Sequence, residues 1–247
     1  MQIKNAIILA AGYGTRMGGC VKPLIEIGGK PIISHIVSKL EEMYGLENVY
    51  VVTNGLYNGQ FVVWAEKLKT KLKVTLVNDG TRSNETRLGA LRDIVLVLDT
   101  AYKTGLQDTI IIAGDNFFNG GLQDILKGYS GKPLIGLQDI QSVEQAKRFG
   151  VVGIDSSNKV IGFQEKPENP KSTLVSTAIY LYPPKTLETL KEYVSNGKPS
   201  DKPGDFLEWM LKNRQEVFGY IMKGRWWDIG SQESLDDARR YYEKNAV

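Results

Sequence analysis

Short apolar runs alternate with longer stretches of helical period through the first half of the chain. Residues 6–9, 49–53, 74–77 and 109–113 have the length and β-branched content of strands. Residues 31–43, 61–72 and 88–98 repeat their apolar positions at helical spacing. That succession reads as βαβ units, and it predicts an α/β fold around a mixed, mostly parallel sheet. The runs 7–9 and 110–113 are apolar at consecutive positions, as strands covered on both faces are. Pro31 suits the first turn of its helix and Gly45 its end. Beyond about residue 116, strand-like pieces at 134–137, 151–154, 160–163 and 175–182 mix with helices near 184–194, 206–212 and 232–244. No linker, low-complexity stretch or repeat divides the two halves, so a single domain over 1–247 is expected.

Composition narrows the partners. The chain has 247 residues, 42% of them hydrophobic, enough for a sizeable core. Its 31 basic and 28 acidic residues leave a net charge of +3 with no basic block, which gives no support for nucleic acid as a partner. Cys20 is the single cysteine, so an intrachain disulfide and a cysteine zinc site are excluded, and a cytoplasmic setting is expected. The apolar stretch 6–11 lacks the pattern of a signal peptide, and no run reaches the roughly 20 residues of a membrane helix, so no membrane partner is expected. His35, the single histidine, reads as a packing residue of the helix from Pro31. Tyr241 and Tyr242 read as packing of the last helix or as a subunit contact, which leaves a homo-oligomer open.

The first chemistry-bearing segment is Leu9-Ala10-Ala11-Gly12-Tyr13-Gly14-Thr15-Arg16, directly after the first strand. Small residues there let backbone N–H groups face an anion, which suits a polyphosphate. Glycine turns of this kind also serve dinucleotide binders, nucleotide hydrolases and ordinary tight turns. A dinucleotide loop wants a third glycine where this chain has Met17. A hydrolase phosphate loop needs Gly-Lys-Ser/Thr where this chain has Gly19-Cys20. Arg16 in the loop and Lys22 six positions on would neutralise a triphosphate and the departing pyrophosphate, an exposed basic loop being the alternative. Asp115 follows the run 110–113, at the carboxyl end of a strand, where open α/β sheets bind ligands.

The loop with Met17, then Lys22-Pro23-Leu24 and Ile27-Gly28-Gly29-Lys30-Pro31-Ile32, resembles the opening of the sugar-phosphate nucleotidyltransferases. Ala113-Gly114-Asp115-Asn116, Phe149-Gly150-Val151-Val152, Glu165-Lys166-Pro167, Thr177-Ala178-Ile179-Tyr180 and Trp226-Trp227-Asp228-Ile229-Gly230 resemble that family's later motifs, in order, over nearly the whole chain. The resemblance implies a Rossmann-like, doubly wound sheet, with a nucleotide-binding half over about 1–115 and a sugar-phosphate-binding half over about 116–247. It implies transfer of a nucleoside monophosphate from a nucleoside triphosphate to a sugar 1-phosphate, with Mg2+ held by Asp115 and Asp228. Magnesium takes one or two carboxylates with phosphate oxygens and water, so two aspartates suffice. Arg16 and Lys22 would join them as catalytic residues. Leu9, Ala10, Ala11, Gly12, Gly14, Thr15, Arg87 and Gly114 would bind the nucleotide. Lys166 would hold the sugar phosphate, Gly150, Glu165 and Tyr180 would line the sugar pocket, and Phe149 and Trp226 read as its apolar walls or as core.

Residues 78–89 stand where the family reads the base, without the proline-glycine-leucine-alanine run of thymidylyltransferases. Arg87, residues 22–31 and residues 163–167 lean toward the cytidylyl branch, whereas Gly114-Asp115-Asn116 leans toward the thymidylyl branch. Thymidylyl, cytidylyl and uridylyl transfer therefore stay open. The chain ends soon after the last helix, so a single activity is expected. The alternatives are the same chemistry on a non-sugar acceptor such as phosphocholine, and a nucleotide-sensing module without turnover.

Overall fold

The strand at residues 5–9 organises the chain. The computed structural model describes residues 3–102 and 105–245, the side chain of Arg16 excepted. In chain order the elements begin with β1 (Asn5–Leu9), the hairpin of β2 (Glu26–Ile27) and β3 (Lys30–Pro31), α1 (Ile32–Glu41), β4 (Asn48–Thr53), α2 (Asn58–Lys67) and β5 (Lys73–Asn78). Next come α3 (Ala90–Thr100), β6 (Thr109–Ala113), β7 (Asn116–Phe118), β8 (Leu134–Asp139), α4 (Val143–Ala146), β9 (Gly150–Ile154) and β10 (Val160–Glu165). The chain continues with β11 (Leu174–Tyr182), α5 (Pro184–Ser195), α6 (Pro203–Lys212), β12 (Phe218–Ile221), β13 (Trp226–Asp228) and α7 (Gln232–Asn245).

Among the described residues, the main sheet runs in the order β10-β9-β11-β6-β1-β4-β5, and β8 pairs with both β11 and β12. β6, β1, β4 and β5 are mutually parallel. β11 is antiparallel to β6, β8 and β9, so one sheet carries strands from both halves of the chain. Side chains alternate across this sheet. Ala6 and Ile8 join Ile110 and Ile112 beneath α1 and α2, meeting Ile36, Leu40 and Phe61. Ile7 and Ile111 face the other way, onto Leu91, Ile94, Leu187 and Phe206. Covering both faces explains the consecutive apolar residues, each buried isoleucine contributing roughly 1.5–3 kcal/mol. The doubly wound α/β single domain is the predicted one. No helix among the described residues is long and apolar enough to cross a membrane.

Several local expectations shift. Pro31 ends β3 and stands before the first turn of α1, and that helix stops at Glu41, ahead of Gly45. α2 starts at Asn58 and ends at Lys67, because its first turn is polar and was hidden from a pattern based on apolar positions. α6 begins at Pro203, where proline at the first turn and the Lys202 amide, donating to Asp205 Oδ2 at 3.1 Å, fix the start. β2, β3, β7, β12 and β13 are too short for a period to register. His35 packs as expected, its Nε2 2.9 Å from the Ile27 carbonyl and its ring against Phe117 and Tyr242.

Phe206 is fully buried against Tyr182, Tyr193 and Trp209 and fastens α6 to the sheet. Phe206→Ala should lower unfolding free energy in urea by about 3–5 kcal/mol, the usual range for an aromatic removed from a packed core.

Candidate active site

Parallel strands leave the sheet at one edge, and the loops after β1, β5 and β6 meet there around a cleft of about 570 Å³. Residues 9–15 line it. Gly14 has φ +60°, and a Cβ on it would lie 2.0 Å from the Cys20 carbonyl oxygen, so the turn admits glycine alone. The Gly14 carbonyl accepts from the Met17 and Gly19 amides at 2.9 and 3.0 Å. Buried Asn54, just past β4, donates Nδ2 to the Ala11 carbonyl at 3.0 Å, and the Tyr57 hydroxyl donates to Gly19 at 2.9 Å. Tyr13 reaches Thr81 Oγ1 at 2.7 Å, joining the glycine loop to the loop after β5. Arg16 lies in the single turn that follows, with its side chain outside the described residues.

Asp115 stands in the two-residue turn between β6 and β7. Gly114 beneath it donates its amide to the Leu9 carbonyl at 2.8 Å, and a side chain there would strike that same oxygen. β7 pairs with β13 so that Asn116 faces Asp228, and the Ile229 amide donates to the Asp115 carbonyl at 3.0 Å. Residues 113 positions apart in sequence are thereby set side by side at the end of the sheet. Lys22 Nζ lies 3.0 Å from Asp115 Oδ2, both side chains mostly shielded from solvent. The predicted Lys22, Asp115 and Asp228 therefore converge.

A second cleft, of about 340 Å³, shares Ala113, Asp115, Ala178 and Pro203 with the first. Gly150, Glu165, Lys166, Tyr180, Trp226 and Asp228 all line it. A Cβ on Gly150 or Gly204 would fall 2.5 or 2.8 Å from the Phe163 ring, which stands beside Glu165. Phe149 and Trp226 meet edge to face at 5.3 Å, and they both line this cleft and pack against the small apolar cluster of Ala146, Val151 and Val175. Burial pushes the Tyr180 hydroxyl up to about 12, keeping it protonated as a donor. Ala178, between the clefts, has φ +55° where β11 bulges between Ser176 and Tyr180.

Other lining residues escaped the sequence reading. Arg148 and Lys202 add cations to Lys166 in the second cleft, Lys202 Nζ lying 3.2 Å from Glu165 Oε1. Arg87 reaches the larger cleft as expected, but its guanidinium is held by Asp201, with Nε to Oδ1 at 2.8 Å and Nη2 to Oδ2 at 3.1 Å. Asp79 and Asp93 complete that wall. Burial first, then the charge of Asp79, push the Asp93 carboxyl up to about 7. Burial likewise raises Asp79 against the lowering effect of its bonds from Thr81. An acidic residue on the apolar face of α3, beside Leu91, Ile94 and Val97, was the signal available.

Residues 5–245 match the nucleotidyl transferase family. The chain belongs to that family. It is 30% identical over 241 residues to the bifunctional protein GlmU of Methanocaldococcus jannaschii, covering 96% of this chain and 54% of the relative. To GlmU of Methanococcus aeolicus it is 29% identical over 245 residues, covering 98% and 55%. The chain thus spans about half the length of these curated relatives. Its fold superposes on a Bacillus anthracis protein assigned as a glucose-1-phosphate thymidylyltransferase, solved with sucrose, with TM-score 0.79 at 26% identity over 96% and 94% of the two chains. A UDP-glucose pyrophosphorylase bound to UDP-glucose gives TM-score 0.78 at 21% identity over 98% and 99%, a shared fold. The family read from the motifs is the family matched.

Two outcomes follow from this geometry. Gly14→Ala should disorganise the loop and lower stability by more than the roughly 1 kcal/mol of a backbone effect alone, because the Cβ collides with backbone; thermal unfolding measures it. The folded chain keeps the Asp93 proton to about pH 7, whereas an unfolded aspartate loses it near about pH 4. The folded state then holds more protons in that window, so stability falls as pH rises through it. Urea unfolding should show a loss on the order of 2 kcal/mol between about pH 5 and pH 8 from this group. Asp93→Asn should flatten the profile.

Proposed function

We propose that this chain transfers a nucleoside monophosphate from a nucleoside triphosphate to a sugar 1-phosphate, releasing pyrophosphate. The observation that carries the reading is the junction of the two clefts at Asp115, with a glycine loop and Lys22 in one and three cations beside a hydroxyl-binding wall in the other. Such a junction sets a sugar-phosphate oxygen beside the α-phosphorus of a nucleotide held in the larger cleft, the proximity that an in-line displacement needs.

Each residue then has a defined task. The amides of the glycine loop and Lys22 bind the triphosphate and stabilise charge on the departing pyrophosphate. Arg148, Lys166 and Lys202 receive the acceptor's phosphate, while Glu165 accepts from sugar hydroxyls and Tyr180 donates to one. Phe149 and Trp226 exclude water from the sugar's apolar face. Two hard carboxylates on adjoining backbone segments fit a magnesium ion completed by phosphate oxygens and water, so Asp115 and Asp228 would hold it. When bound there, the ion offsets the repulsion between the two phosphates. The name of the Bacillus anthracis protein of like fold supports a sugar phosphate as acceptor in preference to phosphocholine.

A matrix of nucleoside triphosphates against sugar 1-phosphates with magnesium, read as pyrophosphate release, tests the reading and should give a strong signal for a small set of pairs. Chelation of magnesium should abolish it. Asp115→Asn and Asp228→Asn should each cut kcat at least about a hundredfold, equivalent to roughly 2.7 kcal/mol, with unfolding transitions near that of the parent. Full turnover in both variants would refute the assignment.

A further inference from the structure

The far wall of the larger cleft holds a carboxyl oxygen with no hydrogen bond among the described residues. Asp93 is 6% exposed, lines the cleft, and its Oδ1 is buried without a hydrogen bond among the described residues. A buried acceptor left unmade costs about 1–3 kcal/mol, so a donor belongs at this position. Asp79 cannot supply it while ionised, being an acceptor whose oxygens already receive the Thr81 amide and hydroxyl at 2.7 and 2.8 Å. The titratable groups facing Asp93 are Asp79, from the loop after β5, and Tyr13, from the glycine loop.

Position and charge decide which part of a ligand arrives there. Asp115 follows β6 and Asp79 follows β5, and β1 and β4 lie between those strands. At the usual strand spacing the two loops leave the sheet about 14 Å apart. Phosphates are drawn to Lys22 and the glycine loop and repelled by the charge of Asp79. The N-terminus of α3 offers them nothing, because the Ala90 and Leu91 amides already donate to the Asp201 and Ser200 carbonyls at 3.1 Å. The nucleobase is what remains for the acidic wall.

We infer that Asp93 reads the nucleobase, and that it selects the amidine edge shared by cytosine and adenine over uracil, thymine and guanine. Its unpartnered oxygen accepts from the exocyclic amino group. Below about pH 7 the carboxyl is mostly protonated, and that O–H donates to the unprotonated ring nitrogen beside the amino group. Uracil and thymine offer an N–H between two carbonyls and no amino group, and guanine offers N–H where cytosine and adenine offer a lone pair.

The inference rests on the proposed function only in placing a nucleoside triphosphate in this cleft, so equilibrium binding without acceptor tests it apart from turnover. CTP, ATP, GTP, UTP and dTTP are titrated with magnesium into the wild-type chain, Asp93→Leu and Asp93→Asn. CTP or ATP should bind the wild type at least about tenfold more tightly than the others, a difference of roughly 1.4 kcal/mol. Asp93→Leu should erase that preference. Asp93→Asn, which keeps one donor and one acceptor, should retain it and should hold it above about pH 8, where ionisation of the wild-type carboxyl weakens it. Equal or tighter binding of UTP, dTTP or GTP, an unchanged preference in Asp93→Leu, or no triphosphate binding would overturn the inference. The predicted order of binding with no pyrophosphate release for any acceptor would support it and defeat the transfer reading instead.

Discussion

The parallel pairing of β1 with β4 on one side and β6 on the other constrains nearly everything else. Parallel neighbours release their chains at one edge, so the glycine loop, Asn54, Asp79 and Asp115 are gathered without any long-range design of the loops themselves. The same pairing demands helices on both faces, which is why α1 and α2 cover one side and α3, α5 and α6 the other. Asp228 is the exception, since its strand is outside the main sheet. The short ladder of β7 with β13 returns it to the edge and fixes it opposite Asn116.

Charge is then distributed with little waste. Lys22 and Asp115 neutralise one another in a partly shielded position, where removing either would strand the other. Lys202 stands against Glu165 in the second cleft, and Arg87 against Asp201 at the rim of the first. Asp93 has no ion pair among the described residues, and burial answers by holding its proton instead. An entering nucleotide thus meets Lys22 on one side of the larger cleft and the Asp79–Asp93 pair on the other.

Legibility in the sequence followed from how each residue is placed. Residues 9–15 and Asp115 could be read because they come directly after strands with clear apolar runs. Asp228, Lys166 and Tyr180 were reached through motif resemblance, since nothing periodic around them reveals that β13, β10 and β11 end near one another. Asp93, Arg148 and Lys202 stayed hidden. Asp93 stands on the apolar face of α3 with no motif around it to mark a site, and Lys202 looks like an ordinary residue before a capped helix. β7 and β13 were missed because three residues carry no period, yet they complete the pair of aspartates.

One segment borders both clefts, and its fastening shows how they are joined. The Ser200 and Asp201 carbonyls receive the first amides of α3, and the Asp201 carboxylate grips Arg87. A Cβ on Gly89 would meet the Ser200 carbonyl oxygen at 2.7 Å, so this contact permits no side chain at the start of α3. Lys202 turns the other way to Glu165, and Gly204 presses against Phe163. Immediately beyond, Phe206 anchors the segment in the core. Residues 200–204 therefore cannot move at one cleft without disturbing hydrogen bonds at the other. The two clefts are joined through this segment as well as through the shared Asp115.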